Sequence, residues 1–129
     1  MTFREFWPLY LQAHSKPSTR AVHHGATIIG VGSTFAAAIA LQPAFLLGIG
    51  IAYGLAIGAH TFIEKNHSMI RVNPIWGAIA DLRMFWFAAT GGLEREIARC
   101  NTQLRSDPKF RHQDHGVVLV ARAATRRGR

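Results

Sequence analysis

The chain has 129 residues, a length that suits one domain and leaves little room for two. It is 49% apolar and only 17% charged, with a formal net charge of +8. Its single cysteine, Cys100, excludes an intramolecular disulfide and a cysteine-built metal cage.

These averages conceal a split. The 39 residues from Gly25 to Ile63 contain no Lys, Arg, Asp or Glu, while nine of the 15 Lys and Arg fall at or after Arg95. The basic end favours an anionic partner, and the apolar block beside it points to a lipid surface rather than nucleic acid. The first 24 residues include Arg4, Glu5, Pro8, His14, Lys16 and Arg20, so they lack the apolar core of a cleavable signal peptide.

In chain order, "FREFWPLYLQAH" (Phe3 to His14) reads as a short amphipathic helix with Trp7 and Tyr10 placed for a membrane interface. Pro8 fits best in a first turn, so the expected start is near Phe6 or Trp7. "SKPSTR" is a break in which Ser18 or Thr19 is a natural N-cap. An apolar helix is expected from about Arg20 to Leu41, then a turn at "LQP", then a second apolar helix from Ala44 to about Glu64. Each is long enough to cross a bilayer core, and their many Gly and Ala suit close packing in lipid.

"NPIWGAIADLRMFWFAATGG" (Asn73 to Gly92) predicts a third apolar helix, opened by Pro74 and ended by Gly91-Gly92. Asp81 and Arg83 interrupt it; two residues apart, they do not face each other. Leu93 to Arg105 predicts a soluble amphipathic helix. Residues 106–129 form a basic tail in which "GVVLVA" (Gly116 to Ala121) fits either a strand or a helical turn, and His112 and His115 are expected to be solvated. The fold class is thus all-α: a helical membrane domain over residues 1–105 with a transmembrane hairpin, an N-terminal interfacial helix and a third apolar helix. Arg4, Lys16 and Arg20 precede the hairpin, Lys65 and Arg71 follow it, and its turn carries no charge. This pattern predicts a multi-pass protein with the N-terminus and both hairpin ends cytoplasmic.

That topology gathers His14, His23, His60 and Glu64 at one membrane face. His60 and Glu64 are one helical turn apart, a spacing that fits a shared metal or an interfacial hydrogen-bonded pair. His14 and His23 would diverge on one continuous helix, but the break at Pro17 lets both turn toward a common point. His24 points away from His23 and is at best an outer partner.

Three segments together, "FREFWPLYLQAHSKPSTRAVH", "GAHTFIEKN" and "NPIWGAIADLRMFW", resemble the small membrane proteins of the fungal-type 2-hydroxy-fatty-acid dioxygenase family over roughly residues 3 to 92. The matching positions are Tyr10, His14, Pro17 and His23, then His60, Glu64, Lys65 and Asn66. The resemblance implies an Fe(II)-dependent dioxygenase that shortens a lipid-like 2-hydroxy acid by one carbon with O2. It implies His14, His23 and His60 as ligands of Fe(2+), with Glu64 as a further ligand or an outer partner. Arg20, Lys65 and Asn66 are the expected contacts for the substrate. The chain departs from the family at Thr19, where Asn is usual, and at Asn66-His67-Ser68-Met69, where Asn-Arg-Pro-Ala or Arg-Arg-Pro-Ala is common. Two other functions fit the same residues: a membrane scaffold whose tail binds lipid headgroups, and a metal-dependent lipid hydrolase.

Overall fold

A computed structural model describes residues 1–108. The expected tail, with the Gly116 to Ala121 run and His112 and His115, lies outside the described residues apart from its first three positions. Within them all regular structure is helical: α1 (Phe3–Ala13), α2 (Pro17–Ala40), α3 (Leu47–Gly58), α4 (Pro74–Ala89) and α5 (Leu93–Ser106). A 3-10 turn, Pro43–Leu46, leads into α3, and a π-turn, Ala59–Glu64, extends it.

α1 starts earlier than Pro8 suggests. The Thr2 hydroxyl accepts the Glu5 N–H at 3.4 Å and the Glu5 carboxylate accepts the Thr2 N–H at 2.9 Å, a capping box that closes the first turn at Phe3. Pro8 therefore lies inside the helix, where its missing N–H deprives only the carbonyl of exposed Arg4. Nor do Trp7 and Tyr10 stand free as interfacial anchors. Trp7 and Tyr10 are 2% and 3% exposed, and Phe6 and Leu9 are fully enclosed, because α4 and α5 pack over the helix.

α2 likewise begins ahead of its expected cap. Pro17 occupies the first helical position behind Lys16, and its fixed φ opens the helix without help from a capping side chain. Ser18 and Thr19 fall in the first turn, with Thr19 buried. At the far end Leu41 takes a left-handed conformation (φ 50°) and the chain reverses into α3. The two helices approach so closely there that a Cβ on Gly48 would sit 1.8 Å from Ser33 Oγ. Both Pro17–Ala40 and Pro43–Glu64 are long and apolar enough to cross a membrane. Their outer faces stay uncovered, with Phe35 64% and Ile39 83% exposed.

The compact part of the molecule is α1 against α4 and α5. Asn73 caps α4 by accepting the Trp76 N–H at 3.0 Å, and Gly91, at φ +72°, ends it. Trp7 stacks between Tyr10 and Phe87. Its indole N–H donates to the buried Glu96 carboxylate at 2.8 Å, which also takes both Arg99 bonds, at 2.6 and 2.8 Å. Arg83, 3.6 Å from the same carboxylate, lies over the Trp7 ring at 4.7 Å. Asp81 and Arg83 do diverge as expected, and Arg83 faces this cluster.

The Arg99 hydrogen bonds, outweighing burial and helped by Trp7, hold the Glu96 carboxyl below its ordinary value. Its stabilising contribution is complete above the ordinary value of 4.5 and is lost as pH falls through the lower folded value. Glu96→Ala leaves the Trp7 N–H and Arg83 without their acceptor, and should cost about 1–3 kcal/mol. Thermal melts in detergent at neutral pH should show a fall of several degrees, shrinking as both proteins are acidified. An unchanged melting temperature at neutral pH would show that the cluster contributes nothing.

Candidate metal centre

The three predicted histidines meet. His14 ends α1, His23 opens the second turn of α2, and His60 lies in the π-turn after α3; all three are buried. Each offers one nitrogen, and these lie within 4.8 Å of one another. The rings are nearly perpendicular in pairs, with interplanar angles of 89°, 78° and 77°.

Their hydrogen bonds fix what each nitrogen can do. His14 Nδ1 lies 2.7 Å from the Tyr10 carbonyl oxygen, which can only accept, so Nδ1 carries the proton. His23 Nδ1 is 2.8 Å from Asp81 Oδ1 and likewise donates. His60 Nδ1 is 2.8 Å from Asn66 Oδ1, and the Asn66 amide is oriented by donating its own N–H to the Ala13 carbonyl at 2.9 Å. All three protons are thus directed away from the cluster, and in the neutral rings each Nε2 is left as a lone pair. The Nε2 atoms of His14 and His23 face each other at 3.3 Å. Burial, then the neighbouring His23 and His60 rings, push His14 well below its ordinary value, so it does not readily supply a proton to that gap. Buried imidazole lone pairs converging on one point form a donor set that fits a divalent transition metal.

Asp81 is the centre's principal support, and its role was not legible in the sequence. It accepts from His23, from the Tyr10 hydroxyl at 2.8 Å and from the Thr27 hydroxyl at 2.6 Å. Burial raises its carboxyl, but the His23 interaction, then Thr27 and Tyr10, more than offset this and keep it anionic. Burial, then the Asp81 charge and hydrogen bond, raise the Tyr10 phenol, which remains a donor. Only the presence of an acid two residues from Arg83 signalled Asp81 beforehand; its partners lie 54 to 71 residues away.

The other expected site residues take different places. Glu64 does not join the three rings: its carboxylate accepts the Ser15 hydroxyl at 3.1 Å and the Lys16 N–H at 2.7 Å. The Lys16 ammonium also donates to the Ile63 carbonyl. The π-turn, closed by the Lys65 N–H on the His60 carbonyl, ends the hairpin there, and the α1–α2 corner takes up the Glu64 carboxylate in place of the rings. Arg20 donates to the His14 and Ser15 carbonyls, at 3.1 and 2.8 Å, and pairs with Glu94 at 3.1 Å, so it braces the α1–α2 corner. Lys65 ends the π-turn at φ 59°. Asn66 contacts His60. His24 meets the Phe85 ring edge-on and its Nδ1 has no hydrogen-bond partner, while His67 is exposed.

A cavity of about 250 Å³ opens beside the histidines, with His23, His60, Tyr10, Asp81 and Ser68 at its polar end and the facing walls of α2 and α3 beyond them. Fold and centre together define, over the described residues, an all-helical protein with a three-histidine cluster at the base of an apolar hairpin. The chain belongs to the 2-hydroxy-palmitic acid dioxygenase Mpo1-like family, whose model matches residues 1–93. No curated protein and no solved structure matches it.

Removing the Asp81 carboxylate frees the His23 ring to rotate and to change tautomer. Asp81→Ala should weaken divalent-metal binding by about 10–100-fold, the usual scale for losing such a partner, while His67→Ala changes it little. Metal titration of the detergent-solubilised protein measures both. Equal affinities for Asp81→Ala and the unaltered chain would remove Asp81 from the centre.

Proposed function

We propose that this chain is an integral-membrane, Fe(II)-dependent dioxygenase that shortens 2-hydroxy fatty acids by one carbon with O2. The observation that carries the reading is the set of three Nδ1 protons tied outward, leaving buried nitrogens to converge beside a largely apolar cavity. His14, His23 and His60 hold the metal. Three neutral nitrogens leave its charge uncompensated, which favours an anionic oxygen donor such as the substrate's hydroxy-carboxylate. When bound, Fe(II) supplies one-electron chemistry with O2 and a Lewis-acidic site for that group.

The chain's own groups bind and orient. Asp81 keeps His23 in the tautomer that leaves Nε2 free, and Asn66 does the same for His60. Glu64 acts from outside the ligand set: by holding Ser15 and Lys16 it pins the α1–α2 corner to the π-turn and keeps His14 opposite His60. The Tyr10 hydroxyl and Ser68 lie on the cavity wall, where a polar headgroup would rest. Membrane insertion is supported by the two apolar hairpin helices and their uncovered outer faces, including Leu47 at 74% and Phe62 at 81% exposure. The basic residues flanking the hairpin support a cytoplasmic metal face.

Anaerobic purification in detergent, Fe(II) loading, metal analysis and O2 uptake with 2-hydroxy-palmitic acid test this reading. The intact chain should hold one iron, consume O2 only with the 2-hydroxy acid, and release the acid one carbon shorter. His14→Ala, His23→Ala and His60→Ala should each lose both iron and O2 uptake. Glu64→Gln should retain most of the iron; a loss as complete as that of His60→Ala would put Glu64 among the ligands. Zinc binding with ester or amide hydrolysis and no O2 uptake would replace the dioxygenase with a hydrolase.

A further inference from the structure

The cavity has a regular construction beyond the histidines. Its α2 wall is His23, Ala26, Thr27, Gly30, Val31 and Thr34, at offsets of 0, 3, 4, 7, 8 and 11 residues. This is a single helical face. The α3 wall repeats the same offsets in the opposite direction, from His60 back to Ile49. Each helix therefore places a histidine at one end and its last wall residue eleven positions further on. At a rise of about 1.5 Å per residue the groove is about 16 Å long, the reach of roughly a dozen extended methylenes.

The groove changes character along its length. Most polar groups cluster at the histidine end, with Thr34 and the Tyr53 ring towards the other. Further along, Ala26, Gly30, Ala52 and Ala56 keep the space open, and Leu82 of α4 lines one flank. The two threonine hydroxyls are already engaged, Thr27 with Asp81 and Thr34 with the Gly30 carbonyl at 2.8 Å. α2 and α3 meet on this wall at Gly30 and Ala52, where a Cβ on Gly30 would lie 3.4 Å from the Ala52 Cβ. A longer side chain at either position would cross the groove.

We propose that this groove holds the straight saturated chain of the 2-hydroxy acid, with Gly30 and Ala52 as the specificity-determining pair that admits long chains. The inference rests on the function proposed above for the identity of the headgroup. The occupant follows from continuity with the histidines, from the polar-to-apolar gradient and from a length that matches a long acyl chain. Val31, Tyr53, Ile57 and Leu82 of the lining are 39%, 42%, 41% and 51% exposed, so the groove reaches the uncovered apolar surface of the hairpin, from which a chain can enter without crossing water.

Photolabelling tests the groove independently of turnover. The probe is a sixteen-carbon 2-hydroxy acid with a diazirine at the chain terminus, applied to the full-length metal-free protein in detergent. Label should fall on peptides containing Gly30 to Thr34 and Ile49 to Tyr53, and unlabelled sixteen-carbon 2-hydroxy acid should compete for it. Gly30→Leu should weaken competition by the sixteen-carbon acid at least about tenfold while an eight-carbon acid changes by less than about twofold, since only the longer chain reaches past the level of Gly30. Ala52→Leu, on the opposite wall, should reproduce the shift and serves if Gly30→Leu does not fold. Competable label in the groove of a protein that never consumes O2 supports the chain site and defeats the dioxygenase reading. Normal turnover with label on the outer hairpin faces, or a chain-length order unchanged in both variants, overturns the groove.

Discussion

Three imidazoles can converge on one buried point only if their protons are held elsewhere. Here each Nδ1 proton has its own acceptor: a backbone carbonyl for His14, a carboxylate for His23 and an amide oxygen for His60. A buried nitrogen facing another nitrogen is unfavourable for neutral rings, and protonating it is opposed by burial. A cation would relieve this arrangement, so the hydrogen bonds that fix the tautomers also leave a donor set that a metal can fill.

The rest of the architecture serves those acceptors. Tyr10 belongs to α1, Asp81 to α4 and Asn66 to the link between the hairpin and α4. The histidines come from three different segments, so the cluster forms only when α1, the hairpin and α4 are mutually placed. Asp81 makes this placement cooperative, because its three donors come from α1 and α2. Trp7, Arg83 and Glu96 hold α1 against α4 and α5 from the opposite side, fixing the height at which Tyr10 and His14 are presented. Stability at the Glu96 cluster and geometry at the histidines are therefore linked through one short, fully packed helix.

Much of this was legible in the sequence, for identifiable reasons. The helices of the hairpin followed from an uncharged run longer than any soluble element needs. The meeting of His14 with His23 followed from Pro17, since a break is what allows residues nine apart to converge. Topology gathered the three histidines at one face, and the resemblance added their role as ligands; the family match supports the family itself. The misses share a cause: they depend on contacts distant in sequence. Trp7 and Tyr10 resemble interfacial anchors until α4 and α5 are placed over them. The spacing of His60 and Glu64 shows a shared face but not that Ser15 and Lys16, 49 and 48 residues away, take up the Glu64 carboxylate. Asp81, a charge in an apolar helix, signalled that it had a partner but not which one.

Histidines and groove also share one constraint that no single residue displays. On α2 the face that carries His23 is the face that carries Gly30, and on α3 the face of His60 is the face of Ala52. A one-residue change of register in either helix rotates that face by about 100° and removes the nitrogen and the open wall together. The tight turn at Leu41 and the close approach of Gly48 to Ser33 set that register from the far end of the hairpin. Packing at the far end of the hairpin thus determines both where the nitrogens point and which wall stays open.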